Sequence, residues 1–406
     1  MKDSGVAWIG EIPEEWTVRR LKNFASIQNG MDYRKVFDEG GEFPVIGSGG
    51  AFAHASQFMY DKTSVLLGRK GTVDKPIFID CPFWTVDTMY YTVIHEDVSP
   101  RYFYYLCTQI PFTYFSYGSA VPSMTQRDLN SVHFPYPPKT EQEAMATYLD
   151  ECCESLQETI DEAQNLVDKL TAYKQSLITE AVTKGLHPEV ARKDSGVSWI
   201  GEIPRTSIVV PLTKKIAQIV DYRGKTPEKV NDGIFLVTAK NIKDGIIDYA
   251  LSQEYIRPED YDTVMSRGKP KIGDVLFTTE APLGEVANVD REDIALAQRV
   301  IKFTPTEEAN PYYLKYWMMH QGFQQFLQSL STGSTAAGIK ASKLFMLKMV
   351  LHPLDEQRKI VSFLDAKCAA IDADIARRRK LIERLSAYRR SLIYEVVTGK
   401  REVAGD

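Results

Sequence analysis

Cysteine, long apolar runs and an excess of positive charge are scarce in this sequence. Its 406 residues include five cysteines, no two of which form a Cys-x-x-Cys pair. That pattern argues against a zinc or redox centre and suits reduced thiols. No apolar run approaches the roughly 18 residues that a membrane-spanning helix needs, and the N-terminus carries no apolar signal region. These absences predict a cytoplasmic protein without a metal site.

The charge balance argues against a protein that binds nucleic acid through a positive net charge. The formal net charge is -5 at pH 7. Any contact with DNA must then depend on local basic loops, or on partner subunits that add positive charge.

The motifs of common catalytic centres are also missing. The glycine-rich segments 47–50 and 68–71 match neither a P-loop nor a dinucleotide-binding fingerprint, so both are predicted to be turns. No Glu-x-Lys is present for a nuclease of the PD-(D/E)xK type, and the six histidines form no i, i+4 pair. Residues 310–313, Asn-Pro-Tyr-Tyr, lack the second proline of the amino-methyltransferase tetrapeptide and suit a helix start. No catalytic residue is predicted.

The chain does contain an internal duplication. Residues 2–13 return as residues 193–204 with eleven of the twelve positions identical. Segment 141–184 has neither Gly nor Pro and carries apolar residues in steps of three and four. The same pattern returns 215 residues later, broken only at Lys367 and Arg378. A mean spacing near 3.5 predicts two long helices, each on the order of 60 Å, paired as an antiparallel coiled coil.

The residues predicted to pack between these helices are Leu149, Leu156, Ile160, Leu170, Tyr173, Leu177, Leu364, Ile371, Ile375, Leu385, Tyr388 and Leu392. Shorter apolar runs separated by Gly, Pro, Asp and Asn predict the strands of a mixed sheet before each long helix. Pro100 and Pro311 each open a predicted helix within those regions.

We therefore predict an α+β fold: two mixed α/β domains separated by two long helices that form an antiparallel coiled coil, with a pseudo-twofold axis. The predicted bounds are 1–138 for the first domain, 139–192 for the first long helix and linker, 193–353 for the second domain, and 354–406 for the second long helix. The frame repeats closely while the domains diverge, which indicates two heads that recognise different targets at a fixed separation. Because the order is circular, the two chain ends are expected to lie close together.

Candidate DNA contacts are basic, amide and aromatic residues in Gly- and Pro-rich loops. Arg pairs with guanine, and Asn or Gln pairs with adenine, through two hydrogen bonds. The first-domain candidates are Tyr33, Arg34, Lys35, Arg69, Lys70, Ser119, Gln126 and Arg127. The second-domain candidates are Tyr222, Arg223, Lys225, Lys240, Asn241, Arg267, Lys269, Gln298 and Arg299.

Four features resemble the specificity subunit of type I restriction-modification systems. They are the repeated Asp-Ser-Gly-Val-x-Trp-Ile-Gly-Glu-Ile-Pro segment, the Glu-Gln helix starts at 141 and 356, the Gly-Ser pairs at 118 and 333, and the Tyr-Lys/Arg-x-Ser-Leu-Ile helix ends. The likeness covers the whole chain. One departure is that Glu14-Glu-Trp follows the first Ile-Pro but Arg205-Thr-Ser follows the second, so the entry to the second domain is expected to pack differently.

The resemblance implies a non-catalytic, sequence-specific DNA-binding subunit. Each recognition domain would read one half of a bipartite target, and the helix pair would fix the spacing. The chain itself would bind no cofactor. It would dock two modification subunits, which methylate adenine with S-adenosylmethionine, and restriction subunits that use ATP and Mg.

Two other classes compete with this interpretation. A coiled-coil scaffold whose heads bind proteins would tolerate replacement of the Arg and Lys loops by Ala. A fused methyltransferase would need the Asn-Pro-Pro-Tyr/Phe and S-adenosylmethionine loop signals, which the sequence lacks.

Overall fold

The computed structural model describes residues 1–114, 122–222, 227–332 and 338–403. The chain divides into two units: Met1–Gln164 with Arg379–Asp406 form the first, and Asn165–Arg378 form the second. Each unit thus holds one sheet-rich domain and a part of each long helix. No helix in the described part of the chain is long and apolar enough to cross a membrane.

The helices begin and end as follows. The α-helices are α1 (Pro100–Thr108), α2 (Gln126–Ser131), α3 (Lys139–Lys184), α4 (Tyr261–Val264), α5 (Pro311–Met319), α6 (Gln321–Leu330) and α7 (Leu354–Val397). Short 3₁₀ turns cover Leu21–Asn23, Phe112–Tyr114, Leu212–Lys215, Pro258–Asp260 and Ala341–Met346.

The strands fall into two series. Those of the first unit are β1 (Lys2–Asp3), β2 (Glu11–Ile12), β3 (Thr17–Arg20), β4 (Ala25–Asn29), β5 (Phe43–Gly47), β6 (Gly50–Ala55), β7 (Ser64–Gly68), β8 (Ile77–Ile79), β9 (Trp84–Thr85), β10 (Met89–Ile94) and β11 (His133–Tyr136). Those of the second unit are β12 (Arg192–Asp194), β13 (Glu202–Pro204), β14 (Ile208–Pro211), β15 (Ile216–Asp221), β16 (Ile234–Val237), β17 (Ile242–Lys243), β18 (Ile246–Ile247), β19 (Tyr255–Ile256), β20 (Val275–Thr279), β21 (Leu283–Asn288), β22 (Ile294–Leu296), β23 (Val300–Pro305) and β24 (Lys348–Leu351).

The sheets of the two units correspond one to one among the described residues, apart from one extra hairpin. The antiparallel sheet β4-β10-β7-β8 has its counterpart in β15-β23-β20-β21, and the mixed sheet β6-β5-β9 in β19-β16-β22. The pairs β3–β11 and β1–β2 match β14–β24 and β12–β13. The second unit adds the hairpin β17–β18, whose turn residues Asp244 and Gly245 have φ of 54° and 90°, as a two-residue hairpin turn requires. The predicted mixed α/β domains are confirmed.

Each domain is tied to the long helix that follows it by a buried glutamine. Gln142 accepts from the backbone N–H of Ser99 at 2.9 Å and donates to the carbonyl of Pro137 at 3.0 Å. Gln357 likewise accepts from the N–H of Asn310 at 2.8 Å. Ser99 and Asn310 cap the helices that Pro100 and Pro311 open. The Gln of the repeated Glu-Gln pair therefore fixes each domain against its helix through hydrogen bonds of a buried amide.

Each hydrophobic core is built from a domain, the start of one long helix and the end of the other. In the first unit, Phe24 and Phe103 share a core with Leu149 of α3 and Leu392 of α7. In the second unit, Trp317 and Phe277 share a core with Ile178 of α3 and Leu364 of α7, among other residues. Burial of apolar surface at about 25 cal/mol per Å² makes these shared cores the main attachment of the helices to the domains.

The long helices run antiparallel, as predicted. In the second unit, the Lys174 ammonium lies 2.7 Å from the Asp372 carboxylate, and Val167 packs against Ile371 and Ile375. In the first unit, the Arg389 guanidinium donates to the side chain of Gln157. Lys174 and Arg389 stand 215 residues apart, and so do Gln157 and Asp372, so one polar pair is repeated in the two units. Polar pairs of this kind fix the register between helices.

The predicted helix-packing set is partly corrected. Leu149, Leu364, Ile371, Ile375 and Leu392 are buried. Five others are half-buried: Leu156, Ile160, Leu170, Leu177 and Leu385.

The packing prediction is wrong for Tyr173 and Tyr388, which are 55% and 50% exposed. The neighbouring residues Lys174 and Arg389 face the partner helix instead. An α-helix has 3.6 residues per turn, so residues spaced by 3.5 positions rotate by about 20° per heptad around the helix axis. After several turns, the next residue in the sequence therefore faces the partner helix. At the break at Lys367, the adjacent Cys368 is buried for the same reason.

In the first unit, the N-terminal copy of the repeated segment contacts the end of α7, so the two ends of the chain lie close together. Tyr394 donates its hydroxyl proton to the carbonyl of Ile9 at 3.0 Å, and the Lys400 ammonium donates to the same carbonyl. The expected proximity of the chain ends is confirmed.

The entries to the two domains differ, as the Arg205-Thr-Ser departure suggested. Trp16 donates its indole N–H to Glu141 at 2.8 Å. At the equivalent place in the second unit, the Ser207 hydroxyl lies 2.7 Å from Nδ1 of His352, and Nε2 of His352 lies 2.9 Å from the carbonyl of Val182. Since a carbonyl only accepts, Nε2 carries the proton, and Ser207 donates to Nδ1.

Candidate nucleic-acid interface

Several of the described candidate residues gather at one end of the four-stranded sheet in each unit. In the first unit, residues 68–71 end and follow β7, and residues 86–88 precede β10; we name these the first loop edge. In the second unit, residues 279–282 end and follow β20 and residues 297–299 precede β23; these form the second loop edge. Loops carried on a rigid sheet in this way are the usual place for binding residues.

Backbone hydrogen bonds align the two loop edges residue by residue. The N–H of Arg69 donates to the carbonyl of Thr88 at 2.8 Å, and the N–H of Thr279 donates to the carbonyl of Arg299 at 2.9 Å. In addition, Lys70 forms a β-bridge with Ser123, and Glu280 forms one with Gly338. Thr88 and Arg299 therefore occupy equivalent positions, and Lys70 and Glu280 do so as well.

The first loop edge combines basic and amide side chains. The Arg69 guanidinium lies 3.4 Å from the carbonyl of Asp87 and 5.9 Å from the centre of the Tyr90 ring. Lys70 is exposed. Gln126, at the start of α2, donates to the side chain of Asn29 at 3.2 Å, and Asn29 pairs with Tyr90 in the sheet. The fold thus brings Arg69, Lys70 and Gln126 to the same end of the sheet.

An exposed aromatic cluster adjoins the first loop edge. The Tyr33 ring packs edge-on against Phe37 and Phe52, at 6.0 and 5.2 Å between ring centres. Phe52 is 55% exposed, and the backbone of Gly47 lies so close that an added Cβ would come within 3.2 Å of its ring. An exposed aromatic face beside basic residues suits contact with a nucleic acid.

Arg34 lies next to this cluster, but an acidic neighbour already holds it. Its guanidinium donates to both carboxylate oxygens of Asp32, from Nε to Oδ1 at 3.0 Å and from Nη2 to Oδ2 at 2.6 Å. These hydrogen bonds lower the pKa of Asp32 to about 2. A phosphate would have to displace Asp32 before Arg34 could bind it, whereas the exposed Lys35 lies beside the same cluster.

The second loop edge lines a pocket of about 270 Å³. Its lining includes the side chains of Lys229, Lys240, Glu254, Gln298 and Arg299. Nε of Arg299 lies 2.9 Å from the Glu280 carboxylate, and the Lys229 ammonium lies 2.7 Å from the Glu254 carboxylate. Three predicted residues, Lys240, Gln298 and Arg299, therefore meet at one concave surface.

Two further basic candidates of the second domain lie on neighbouring loops. Nη1 of Arg267 donates at 2.6 Å to the carbonyl of Asp221, the last residue of β15 and thus at the same end of the sheet. Lys269 pairs with Asp262 at 2.6 Å and lies 5.1 Å from the centre of the Tyr261 ring. The hydrogen bond that Lys269 donates to Asp262 raises the pKa of Lys269, which keeps the ammonium charged.

The structure corrects two second-domain candidates. Tyr222 is only 5% exposed in the core, where burial raises its pKa. The side chain of Asn241 is fully buried; it accepts from Thr238 and donates to the carbonyls of Asp248 and Ser252. Neither side chain is available to DNA, because the first fills the core and the second uses its amide to hold a loop.

The remaining candidates divide into two groups. Arg127 is exposed on α2. Ser119, Arg223 and Lys225 lie outside the described residues.

Sequence reasoning missed several residues at the loop edges. Glu280 is acidic, whereas the predicted contacts were basic, amide or aromatic residues. Lys229 and Phe52, which lie beside the loop edges, have no sequence motif near them. Only the pairing of strands that are far apart in sequence brings these side chains to the same place as the predicted ones.

Comparison with known proteins fits this two-domain arrangement. The model of the type I restriction modification DNA specificity domain matches residues 13–165 and 214–384. The type I restriction enzyme MjaVIII specificity subunit of Methanocaldococcus jannaschii is 23% identical, over 97% of this chain and 94% of that one. The type I restriction enzyme EcoBI specificity subunit of Escherichia coli is 23% identical, over 69% of this chain and 60% of that one.

A solved chain from a study of complex assembly and conformational transition of the type I restriction-modification system shares the fold. It superimposes with a TM-score of 0.66 at 15% identity, over 96% of this chain and all of that chain.

Two sheet-rich domains stand on a duplicated helical frame, and equivalent positions of their loop edges carry different side chains. Two matches to the domain model cover most of the sequence. The chain belongs to the type I restriction modification DNA specificity family.

Proposed function

We propose that this chain reads a bipartite DNA sequence, one half through each loop edge. The supporting observation is that two equivalent sheet ends carry different donors and acceptors. At equivalent positions, the first loop edge presents Thr88 and Lys70, whereas the second presents Arg299 and Glu280. Two unlike half-sites require two equivalent scaffolds that carry different base-reading groups.

The proposed domain bounds are those that the sequence repeats predict. Residues 1–138 and 193–353 form the recognition domains, and residues 139–192 and 354–406 supply the spacer helices. The antiparallel pairing of α3 and α7, with its repeated polar pair, supports a spacer of fixed length.

The chain is the non-catalytic component of its system, and its proposed partners supply the chemistry. Two modification subunits would methylate adenine with S-adenosylmethionine, and restriction subunits would use ATP and Mg. With a net charge of -5, the chain needs such partners for much of the attraction to phosphate. Because the proposed target is the DNA of the host cell, the proposed place of action is the cytoplasm.

Methylome sequencing tests the proposal directly. A host that carries this chain with its neighbouring methyltransferase gene should show a bipartite N6-methyladenine motif, and a host with this chain deleted should lack it. Unchanged methylation after the deletion would contradict the proposal and would favour a scaffold that binds proteins.

A further inference from the structure

Arg299 and Glu280 form an ion pair that has no equivalent in the first domain. Nε of Arg299 lies 2.9 Å from the carboxylate of Glu280, and the two side chains are 49% and 42% exposed. The positions that correspond to them in the first loop edge are Thr88 and Lys70. Where the second domain presents a guanidinium and a carboxylate, the first therefore presents a hydroxyl and an ammonium.

The backbone at Arg299 adopts a conformation that side chains with a Cβ rarely take. Its φ is 76°, in the left-handed region, where glycine is the usual residue. Two hydrogen bonds to the carbonyl of Arg299 stabilise this conformation, one from the N–H of Thr279 at 2.9 Å and one from its hydroxyl at 3.2 Å. A non-glycine residue that is held in this region by its surroundings points to a function for its side chain.

The surroundings of the pair favour a negatively charged, hydrogen-bonding ligand. The pocket beside it is lined by Lys229, Lys240 and Gln298. An exposed ion pair contributes little to stability, so both side chains can exchange their mutual contact for contacts with a base. Phosphate alone would not require a carboxylate, because Glu280 would repel it.

We propose that Arg299 and Glu280 together read one G·C base pair of the second half-site. Arg299 would donate two hydrogen bonds to O6 and N7 of guanine, and Glu280 would accept one from the N4 amino group of the paired cytosine, in the major groove. This inference rests on the proposed function and adds to it the identity of one base pair and the two residues that choose it.

The test uses the complete chain with its methyltransferase subunits in the host, read by methylome sequencing. Arg299→Gly removes the guanidinium, adopts positive φ without strain and has no side chain that could read another base. It should make one G·C position of the second half-site degenerate, while the first half-site and the spacing stay as they are. Glu280→Ala should relax the same position without loss of overall methylation.

Arg291→Ala provides the matched control. Arg291 is an exposed arginine that is also ion-paired, with Asp293, but it precedes β22, whereas Arg299 follows that strand. The control should leave the whole motif unchanged.

Binding of the purified wild-type complex to duplex variants tests the same point without any mutant. Replacing the assigned G·C pair by each of the other pairs should weaken binding about 5- to 150-fold, the range that one two-bonded base contact supplies. The complex that carries both Arg299→Gly and Glu280→Ala should bind all four duplexes alike.

The possible failures can be told apart. If no bipartite motif depends on this chain, the proposed function fails. If the motif exists but its second half-site contains no G·C pair, or if the motif is insensitive to Arg299→Gly and Glu280→Ala, only the present inference is overturned.

Discussion

His320 shows how a single buried side chain couples this protein to pH. Its Nδ1 accepts from the N–H groups of Gly322 and Phe323 and so caps α6. The centre of its ring lies 4.5 Å from the ring centre of Trp317 and 5.7 Å from that of Trp199. Nε2 is buried, with no hydrogen-bond partner among the described residues. Burial lowers the pKa of His320 to about 3, because a charged ring would find no water in this cluster.

Stability should therefore fall as the solution is acidified. An unfolded histidine has a pKa near 6.5, so between that pH and about 3 the unfolded chain binds more protons than the folded chain. The free energy of unfolding should drop by up to about 1.4 kcal/mol per pH unit in that window from this residue. His352, whose pKa is also lowered by burial, acts in the same direction.

The prediction can be checked with His320→Asn, which keeps an oxygen acceptor at the helix cap but does not titrate. The variant should be less stable at pH 7.5 because it leaves space in the aromatic cluster, yet its stability should decline less steeply between pH 6.5 and 4.5. Urea unfolding followed by Trp fluorescence measures both quantities. An equally steep decline in the variant would show that other groups cause the acid sensitivity.

Arg69 allows a test of the first loop edge at the same scale. Arg69→Ala should weaken binding to the first half-site by about 5- to 150-fold, the usual range for one arginine–guanine contact, and should leave discrimination at the second unchanged. Competition binding of the assembled complex against duplexes altered in one half-site measures this. Arg20→Ala, on strand β3 away from the edge, is the control. Equal loss at both half-sites would mean that Arg69 acts elsewhere.

At the scale of elements, the long helices explain how one frame can hold two different domains. Each domain shares its core with the start of one helix and the end of the other, and buried Gln142 and Gln357 repeat the same connection. The loop edges lie at the far ends of strands, where side chains can change without disturbing that connection. Divergent domains on a constant frame follow from this separation of roles.

Shortening both helices should shorten the spacing between half-sites. Deleting residues 158–164 and 382–388 together removes one heptad opposite the other and leaves the pairs Lys174–Asp372 and Gln157–Arg389 in place. Seven residues of helix rise about 10 Å, so the preferred spacing should decrease by at most about three base pairs, at 3.4 Å each. Methylome sequencing reports the new spacing, and both half-sites should keep their sequences.

The single deletions serve as controls. Removing only 158–164 or only 382–388 breaks the register between the helices, so it should destabilise the chain and abolish methylation. An unchanged spacing in the double deletion would show that the helices do not set it.

At the scale of the whole molecule, the net charge of -5 supports the proposal that partner subunits make most of the phosphate contacts. The plot of log affinity against log salt has a slope set by the number of phosphates that the protein neutralises. The assembled complex should therefore show a steeper slope than this chain alone. Fluorescence anisotropy with a labelled duplex over a series of KCl concentrations measures both slopes, and replacement of either half-site should abolish specific binding by the complex. Sequence-independent binding by the complex would contradict this proposal.

The sequence alone determined the repeated frame and the helix pair, because these depend on local periodicity and on near-identical segments. It also located the helix starts at Pro100 and Pro311, where Pro and a capping side chain act within a few residues. It could not place Tyr173, Tyr388, Tyr222 or Asn241, since burial depends on which neighbour the chain brings opposite each side chain.

The tertiary structure alone decided that Arg299 faces Glu280 and that this pair stands where the first domain has Thr88 and Lys70. The residues of each loop edge come from strands that are 20 or more positions apart, and their order in the sheets does not follow the order in the chain. No local signal encodes such pairing. Local patterns specified the scaffold, whereas long-range strand pairing assembled the surface proposed to read DNA.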